Sequence, residues 1–203
     1  MTGNDAIARF YPIVDSADWV GRLVSCGARL IQLRIKDRAE EHVRDEVRSA
    51  LEICARGGAT LVVNDYWRIA IDEDCGFVHL GQGDLEGADV AAIRHAGIRI
   101  GVSTHDHAEL ERALAIDPDY VALGPIFPTV LKAMPWAPQG LERIGEWKRL
   151  VGRIPLVAIG GLTPKRALAS LAAGADAAAV VTDIVRSPEP EARAREWVAT
   201  LAA

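Results

Sequence analysis

The chain has 203 residues, half of them hydrophobic and a quarter charged, a balance that predicts one globular domain over 1–203 with a single large core. Its formal net charge of −5 disfavours broad attraction to nucleic acid or to anionic membrane surfaces. No stretch approaches the roughly 20 apolar residues that span a bilayer, and the first ten residues show no secretory pattern, so we expect a cytoplasmic protein.

Eight short apolar segments recur along the chain, and each has the length of a buried strand. The predicted strands are residues 11–14, 30–34, 60–64, 77–80, 99–102, 120–123, 156–159 and 178–181. Between them, apolar residues recur at a spacing of three to four, which predicts amphipathic helices. The cysteines Cys26, Cys54 and Cys75 lack disulfide or zinc spacing, so we expect them to be small buried residues.

Glycines follow four of the predicted helices, at Gly27, Gly58, Gly97 and Gly174, where a left-handed residue commonly closes a helix. Strict alternation of strand and helix, with strands apolar on both faces, predicts a parallel sheet. Eight repeats in 203 residues predict a closed (β/α)8 TIM barrel. An open doubly wound sheet is the alternative, but no glycine-rich dinucleotide motif follows the first predicted strand.

The second predicted strand ends in the sequence QLRIK, at the barrel end where enzymes of this fold carry their chemistry. Gln32, Arg34 and Lys36 alternate and therefore face one side of an extended chain. Two inward cations are costly unless an anion meets them, so we expect a site for more than one phosphoryl group. An arginine–carboxylate pair inside the barrel is the alternative.

The third and fourth predicted strands lead into acidic residues. Asn64 and Asp65 end the third strand, and Asp84 follows the fourth. Two carboxylates beside two cations predict a divalent-metal site, since Mg²⁺ takes one or two carboxylates together with waters and substrate phosphates. The alternative is that each aspartate caps the helix that follows it.

Later strand ends add hydrogen-bonding groups and a second anion site. Ser103 ends the fifth strand, and a proline-rich loop over 125–140, which contains Thr129 and Lys132, follows the sixth. Gly160 and Gly161 after the seventh strand, with Thr182 after the eighth, predict the backbone phosphate cradle common in barrels. Two anion sites favour the joining or splitting of two phosphorylated substrates.

Together these segments resemble the thiamine-phosphate synthase family over residues 11–184. The motifs are QLRIK, VNDYW, HLGQGD, GVSTHD, GPIFPT, LK, PQG, VAIGG and AVVTDI, in that order. The resemblance implies a transferase of thiamine biosynthesis that condenses 4-amino-5-hydroxymethyl-2-methylpyrimidine diphosphate with hydroxyethyl-thiazole phosphate, giving thiamine phosphate and pyrophosphate. It also implies Mg²⁺ and a dissociative reaction, in which pyrophosphate leaves before the thiazole nitrogen attacks.

The resemblance also implies roles for particular residues. Gln32, Arg34, Lys36 and Asn64 would hold the pyrimidine diphosphate, Ser103 would contact the pyrimidine, and Asp65 and Asp84 would bind Mg²⁺. Thr129, Gly161, Val181 and Thr182 would surround the thiazole phosphate, and Lys132 would reach the pyrophosphate. Arg34, Lys36, Ser103 and Lys132 would be the catalytic set.

Two positions depart from the family pattern. Leu131 replaces a usual threonine or serine, which puts one contact with the thiazole phosphate in doubt, and Thr182 replaces a usual serine while keeping its hydroxyl and backbone N–H. The alternatives are a thiazole tautomerase-like isomerase, a sugar-phosphate epimerase or aldolase, and a non-catalytic phosphate-binding barrel. The sequence leaves open whether the protein forms a homo-oligomer.

Overall fold

The computed structural model describes residues 7–129 and 136–202. Within these ranges the strands are β1 (Phe10–Val14), β2 (Leu30–Leu33), β3 (Thr60–Asn64), β4 (Phe77–Leu80), β5 (Arg99–Thr104), β6 (Tyr120–Leu123), β7 (Leu156–Ile159) and β8 (Ala177–Val180). They are parallel and pair in chain order, and β1 pairs with β8 to close the barrel. The predicted TIM barrel is confirmed, and the predicted strand bounds lie within two residues of those observed.

Helices follow the strands in the described part of the chain. They are α1 (Ala17–Ser25), α2 (Glu40–Gly57), α3 (Trp67–Asp72), α4 (Gln82–Glu86), α5 (Val90–His95), α6 (His107–Leu114), α7 (Gly140–Val151), α8 (Pro164–Ala172), α9 (Thr182–Val185) and α10 (Pro190–Leu201). The four helix-closing glycines all have positive φ, from 64° at Gly58 to 115° at Gly174. They therefore adopt the backbone region that was predicted for them. No helix within the described ranges is long and apolar enough to cross a bilayer.

The apolar core has two layers. The outer layer lies between strands and helices and includes the fully buried Trp147, whose indole N–H donates to Thr104 at 3.0 Å. The inner layer fills the barrel with side chains such as Leu30 and Phe77. Because successive strand residues point to opposite faces, only alternate positions of each strand reach the interior. The three cysteines are buried and form no disulfide, as predicted.

At the amino-terminal ends of the strands, the same kind of contact joins strand and helix at two places: an aspartate accepts from a strand and from a basic side chain of a helix. Before β6, Asp119 accepts hydrogen bonds from the backbone N–H of Ile100 at 2.7 Å and from Arg94 at 2.5 Å. Before β8, Asp176 likewise accepts from the first residue of β7 and from Lys148, both at 2.7 Å. Each carboxylate thereby joins a strand to the helix that precedes that strand.

Replacing Asp119 by alanine is expected to lower the free energy of unfolding by about 2–3 kcal/mol, because the Ile100 N–H and the Arg94 guanidinium lose their charged acceptor. Urea denaturation measures this loss. Asp18→Ala is the control, since its carboxylate is 81% exposed and lies 3.9 Å from Arg22, a pair worth less than about 0.5 kcal/mol. Equal losses in the two variants would contradict a stabilising role for the Asp119 contact.

Candidate active site

A cavity of about 980 Å³ opens at the carboxyl ends of the strands. The predicted site residues that line it are Gln32, Arg34, Lys36, Asn64, Ser103, Thr129, Gly161, Val181 and Thr182. Asp65 and Asp84 do not line this cavity. Asp65 contacts the lining residues Lys36 and Asn64, and Asp84 is hydrogen-bonded to Asp65. Lys132 and Leu131 lie outside the described residues.

Strand β2 ends one residue earlier than predicted, but the alternation that brings its polar residues together persists. The backbone N–H of Arg34 still donates to Val14 at 2.7 Å, which continues the pairing with β1 by one residue. Ile35, between the two cations, is 4% exposed and packs in the outer core. Gln32, Arg34 and Lys36 therefore all face the cavity, while Leu33 and Ile35 pack in the outer core, where Ile35 also borders the cavity.

Asp65 connects the polar residues at the ends of β2 and β3. Its carboxylate forms an ion pair with the ammonium of Lys36 and accepts a hydrogen bond from the Asn64 amide at 2.6 Å. Its backbone N–H donates to His79 at 2.9 Å, and its φ of 64° turns the chain out of β3. These contacts hold the Asp65 carboxylate against the cationic side of the cavity.

Asp84 meets Asp65 across the ends of β3 and β4. Partial desolvation raises the pKa of Asp84, and the negative charge of Asp65 and a hydrogen bond between the two carboxyl groups raise it further, against the Lys36 charge. Neither aspartate occupies the N-cap position of the helix that follows it, since Tyr66 caps α3 and Gly81 caps α4. The structure therefore has the predicted carboxylate pair in place of the capping alternative.

The opposite side of the cavity is apolar and is lined by small or branched residues. They are Ile13, Ala122, Val157, Ile159, Ala179 and Val181, from the barrel interior at β6 to β8 and β1. The alanines leave space there. The cavity thus has one polar side that can bind an anionic group and one apolar side that can accommodate an uncharged ring.

A two-glycine turn after β7 forms the upper edge of this apolar side. Gly160 and Gly161 have φ angles of 99° and 65°, and the carbonyl of Gly160 accepts from the backbone N–H of Phe127 at 3.0 Å. A Cβ on Gly161 would lie 2.9 Å from the Phe127 carbonyl oxygen, so only glycine fits this close approach. Val181 and Thr182, at the start of α9, line the cavity beside this turn.

The two described ends of the 125–140 loop are anchored at the cavity. Gln139 donates through its backbone N–H to Pro125 and through its side-chain amide to the His105 carbonyl, both at 2.7 Å. The ring of Trp136 stacks on His105 with a centroid separation of 4.0 Å. His105, which received no role from the sequence, therefore holds the end of this loop.

Three further buried residues that line the cavity were not identified from the sequence. Tyr11, His79 and Tyr120 point into the barrel and connect Gln32 to Ser103 by hydrogen bonds between side chains. Their signal was the two-residue alternation of their strands, which directs Tyr11, His79 and Tyr120 inward. A single histidine or tyrosine in an apolar strand, however, is interpreted from the sequence alone as a residue of the packed core.

These three groups are uncharged near neutral pH. Burial lowers the pKa of His79 to about 4; the Asp65 charge opposes this shift and the Arg34 charge adds to it. Burial also raises the pKa values of Tyr11 and Tyr120 well above the ordinary range of a phenol. The connection from Gln32 to Ser103 therefore consists of neutral hydrogen-bonding groups.

The fold and the cavity define the class of protein: a (β/α)8 barrel with a half-polar cavity at the carboxyl ends of its strands, where enzymes of this fold hold their active sites. A family model described as thiamine monophosphate synthase matches residues 10–184. The chain belongs to that family, which confirms the resemblance seen in the sequence.

Curated relatives named thiamine-phosphate synthase support the same assignment. The protein from Rhizobium etli is 63% identical over 193 residues, 95% of each chain. The protein from Cronobacter sakazakii is 49% identical over 179 residues, 88% of this chain and 85% of the relative. A solved thiamine phosphate pyrophosphorylase from Pyrococcus furiosus covers 96% of both chains at 24% identity with a TM-score of 0.83, which shows the shared fold.

Proposed function

We propose that this protein is a thiamine-phosphate synthase that condenses 4-amino-5-hydroxymethyl-2-methylpyrimidine diphosphate with hydroxyethyl-thiazole phosphate. The observation that carries the proposal is a single cavity with Arg34, Lys36 and Asn64 on one side and the Gly160–Gly161 turn on the other. The first side suits a diphosphate and the second suits a phosphate monoester. The names of the relatives support the same reaction.

Arg34 and Lys36 would bind the diphosphate of the pyrimidine substrate. The guanidinium can form two parallel hydrogen bonds to phosphate oxygens, whereas the ammonium acts as a point charge. Lys36 now pairs with Asp65, so binding of the diphosphate would give that ammonium a second anionic partner. Lys132, outside the described residues, would approach the same diphosphate from the loop and remains a sequence-based assignment.

The carboxylate pair fits a bound Mg²⁺. Desolvation and, after it, the nearby Asp65 charge raise the pKa of Asp84, and a divalent cation would relieve the repulsion between the two carboxylates. Among the described residues, no cluster of three or more His, Cys, Asp or Glu side chains could hold a metal ion. Asp65 and Asp84 would be the protein ligands, since Mg²⁺ commonly takes one or two carboxylates together with waters and substrate phosphates. When bound, Mg²⁺ would neutralise charge on the diphosphate.

The proposed reaction breaks the bond between the pyrimidine methylene carbon and the diphosphate oxygen. The electron pair of that bond leaves with pyrophosphate, and the thiazole nitrogen then donates its lone pair to the methylene carbon. Arg34 and Lys36 would stabilise the departing negative charge. Departure of pyrophosphate would leave a cation at the pyrimidine methylene carbon. The cavity would hold the two rings face to face and exclude water from this carbocation. No proton transfer is needed in this step, in keeping with the neutral His79.

Incubation of the purified protein with both substrates tests this proposal. We expect thiamine phosphate and pyrophosphate to form in equal amounts when Mg²⁺ is present, and neither to form when either substrate is omitted. Product detection by chromatography and a separate pyrophosphate assay measure the two yields. Conversion of a thiazole phosphate alone into an isomer, without pyrophosphate, would instead support the tautomerase alternative.

A further inference from the structure

A continuous chain of hydrogen bonds crosses the barrel interior, and all of its members line the cavity. The Gln32 amide nitrogen donates to the Tyr11 hydroxyl at 2.9 Å, and that hydroxyl lies 2.9 Å from the hydroxyl of Tyr120. The Tyr120 hydroxyl lies 2.6 Å from Nδ1 of His79, whose Nε2 lies 2.8 Å from Oγ of Ser103. We call Gln32, Tyr11, Tyr120, His79 and Ser103 the interior relay.

The relay lies in an otherwise apolar interior. Tyr11 is 1% exposed, Tyr120 is 0% exposed and His79 is 6% exposed, and their neighbours are apolar residues such as Phe77. Gly101 makes room for the relay, since a Cβ there would overlap the Tyr120 ring. Apolar side chains of similar volume would fill this space without the cost of burying polar groups. The relay is therefore not required to fill the barrel.

With the Gln32 amide nitrogen facing Tyr11, only one assignment of donors and acceptors gives every hydroxyl hydrogen of the relay an acceptor. A phenol has a single hydrogen to donate. The Tyr11 hydroxyl has two described partners, Gln32, which donates to it, and Tyr120. The Tyr11 hydrogen therefore has an acceptor only when it goes to Tyr120, and the hydrogen of Tyr120 then goes to Nδ1 of His79. A neutral imidazole with Nδ1 as acceptor carries its proton on Nε2. That proton is donated to Ser103.

Both ends of the relay reach the cavity. The Ser103 oxygen accepts from His79, so its own hydrogen is available to the cavity that this residue lines. One of the two N–H groups of the Gln32 amide donates inside the relay, and the carbonyl oxygen of the same amide is an acceptor. The relay thus offers the Ser103 hydroxyl as a donor and the Gln32 carbonyl oxygen as an acceptor to a bound ligand.

We propose that Tyr11, Tyr120 and His79 are positioning residues that keep the His79 proton on Nε2. They thereby fix Ser103 as a donor and Gln32 as an acceptor toward the ligand. The matching ligand is a flat heteroaromatic ring with an acceptor ring nitrogen and a donor amino group. An aminopyrimidine has both, and this identification of the ligand rests on the proposed function.

The tautomer of His79 tests the relay without any substrate. In ¹⁵N-histidine-labelled protein at neutral pH, we expect the His79 Nδ1 signal at the shift of an unprotonated nitrogen and the Nε2 signal at that of a protonated one. Loss of these signals in His79→Gln assigns them. A proton on Nδ1, or an equal mixture of tautomers, would overturn the proposal.

Two tyrosine variants extend the test to the ligand. Tyr120→Phe removes the donor to His79 Nδ1, so we expect mixed tautomers and an increase of about tenfold in KM for the pyrimidine diphosphate. KM for the thiazole phosphate should change less than about twofold, because that substrate lies on the other side of the cavity. Tyr11→Phe keeps the direct donor and should shift the tautomer less. Tyr66→Phe removes the hydroxyl of a tyrosine outside the relay and is the matched control.

The outcomes separate this proposal from the proposed function. A protein that makes thiamine phosphate but carries the His79 proton on Nδ1 overturns the relay and retains the function. An inactive protein with the proton on Nε2 overturns the function and retains the relay. Equal changes of both KM values in Tyr120→Phe would show a general loss of structure and count against the relay.

Discussion

Neutralising either carboxylate, in Asp65→Asn or Asp84→Asn, is expected to reduce kcat by about 10²–10³-fold, the size of effect found when a charge-stabilising group is lost. Asparagine keeps the volume but removes the charge that Mg²⁺ would need. KM for the thiazole phosphate should change little, because the Gly161 turn lies on the other side of the cavity. Steady-state kinetics at several Mg²⁺ concentrations measure these effects, and the variants should need more Mg²⁺ for half-maximal rate.

Asp45→Asn provides the control for this pair. Its carboxylate lies on α2, is 69% exposed and is 4.0 Å from Arg48, so its loss should leave kcat unchanged. Wild-type turnover in both Asp65→Asn and Asp84→Asn would rule out the carboxylate pair as a metal site. The same variants should keep the barrel folded, since neither residue belongs to the buried core.

The second large effect is expected from Gly161→Ala. The added Cβ would approach the carbonyl oxygens of Phe127 and Pro128, and alanine is strained at the observed φ of 65°. The turn must therefore shift, which should raise KM for the thiazole phosphate by at least about tenfold, the cost of a misplaced binding group. The free energy of unfolding should fall by about 2–3 kcal/mol, from backbone strain and overlap together.

Gly58→Ala is the control that separates the backbone strain of a positive φ from the steric overlap expected in Gly161→Ala. Gly58 has a nearly identical φ of 64°, and a Cβ there would meet nothing within 4 Å. This variant should lose only the strain energy of about 1 kcal/mol and no substrate affinity. If Gly161→Ala behaved like Gly58→Ala in both thermal denaturation and kinetics, the close approach of the turn to Phe127 would have no functional role.

The strands and the location of the site were predictable because both depend on local patterns. Each strand is a short apolar run bounded by turn residues, and parallel strands bring their carboxyl ends to one edge. This logic brought Arg34 and Lys36 together with Asp65, and the Lys36–Asp65 ion pair agrees with it. The predicted second strand was one residue longer than β2, because the alternation of side chains continues past the last residue that is paired in the regular sheet.

The interior relay was beyond prediction because its members are far apart in sequence. Tyr11 and Tyr120 come from β1 and β6, and their hydroxyls meet only when the closed barrel places opposite strands face to face. No local period encodes which inward residues of distant strands touch. The role of His105 as the platform for Trp136 likewise depends on how the chain returns after β6.

The sequence by itself determined the barrel, the order of its strands and the end at which polar residues collect, since the two-residue and 3.6-residue periods are properties of neighbouring residues. Only the tertiary structure decided how that polar set divides, with charge on one side of the cavity, a glycine turn on the other and neutral hydrogen-bonding groups in the lining between strands β1, β4 and β6. That division follows from strand register and barrel closure, which bring residues from opposite strands within 3 Å of each other.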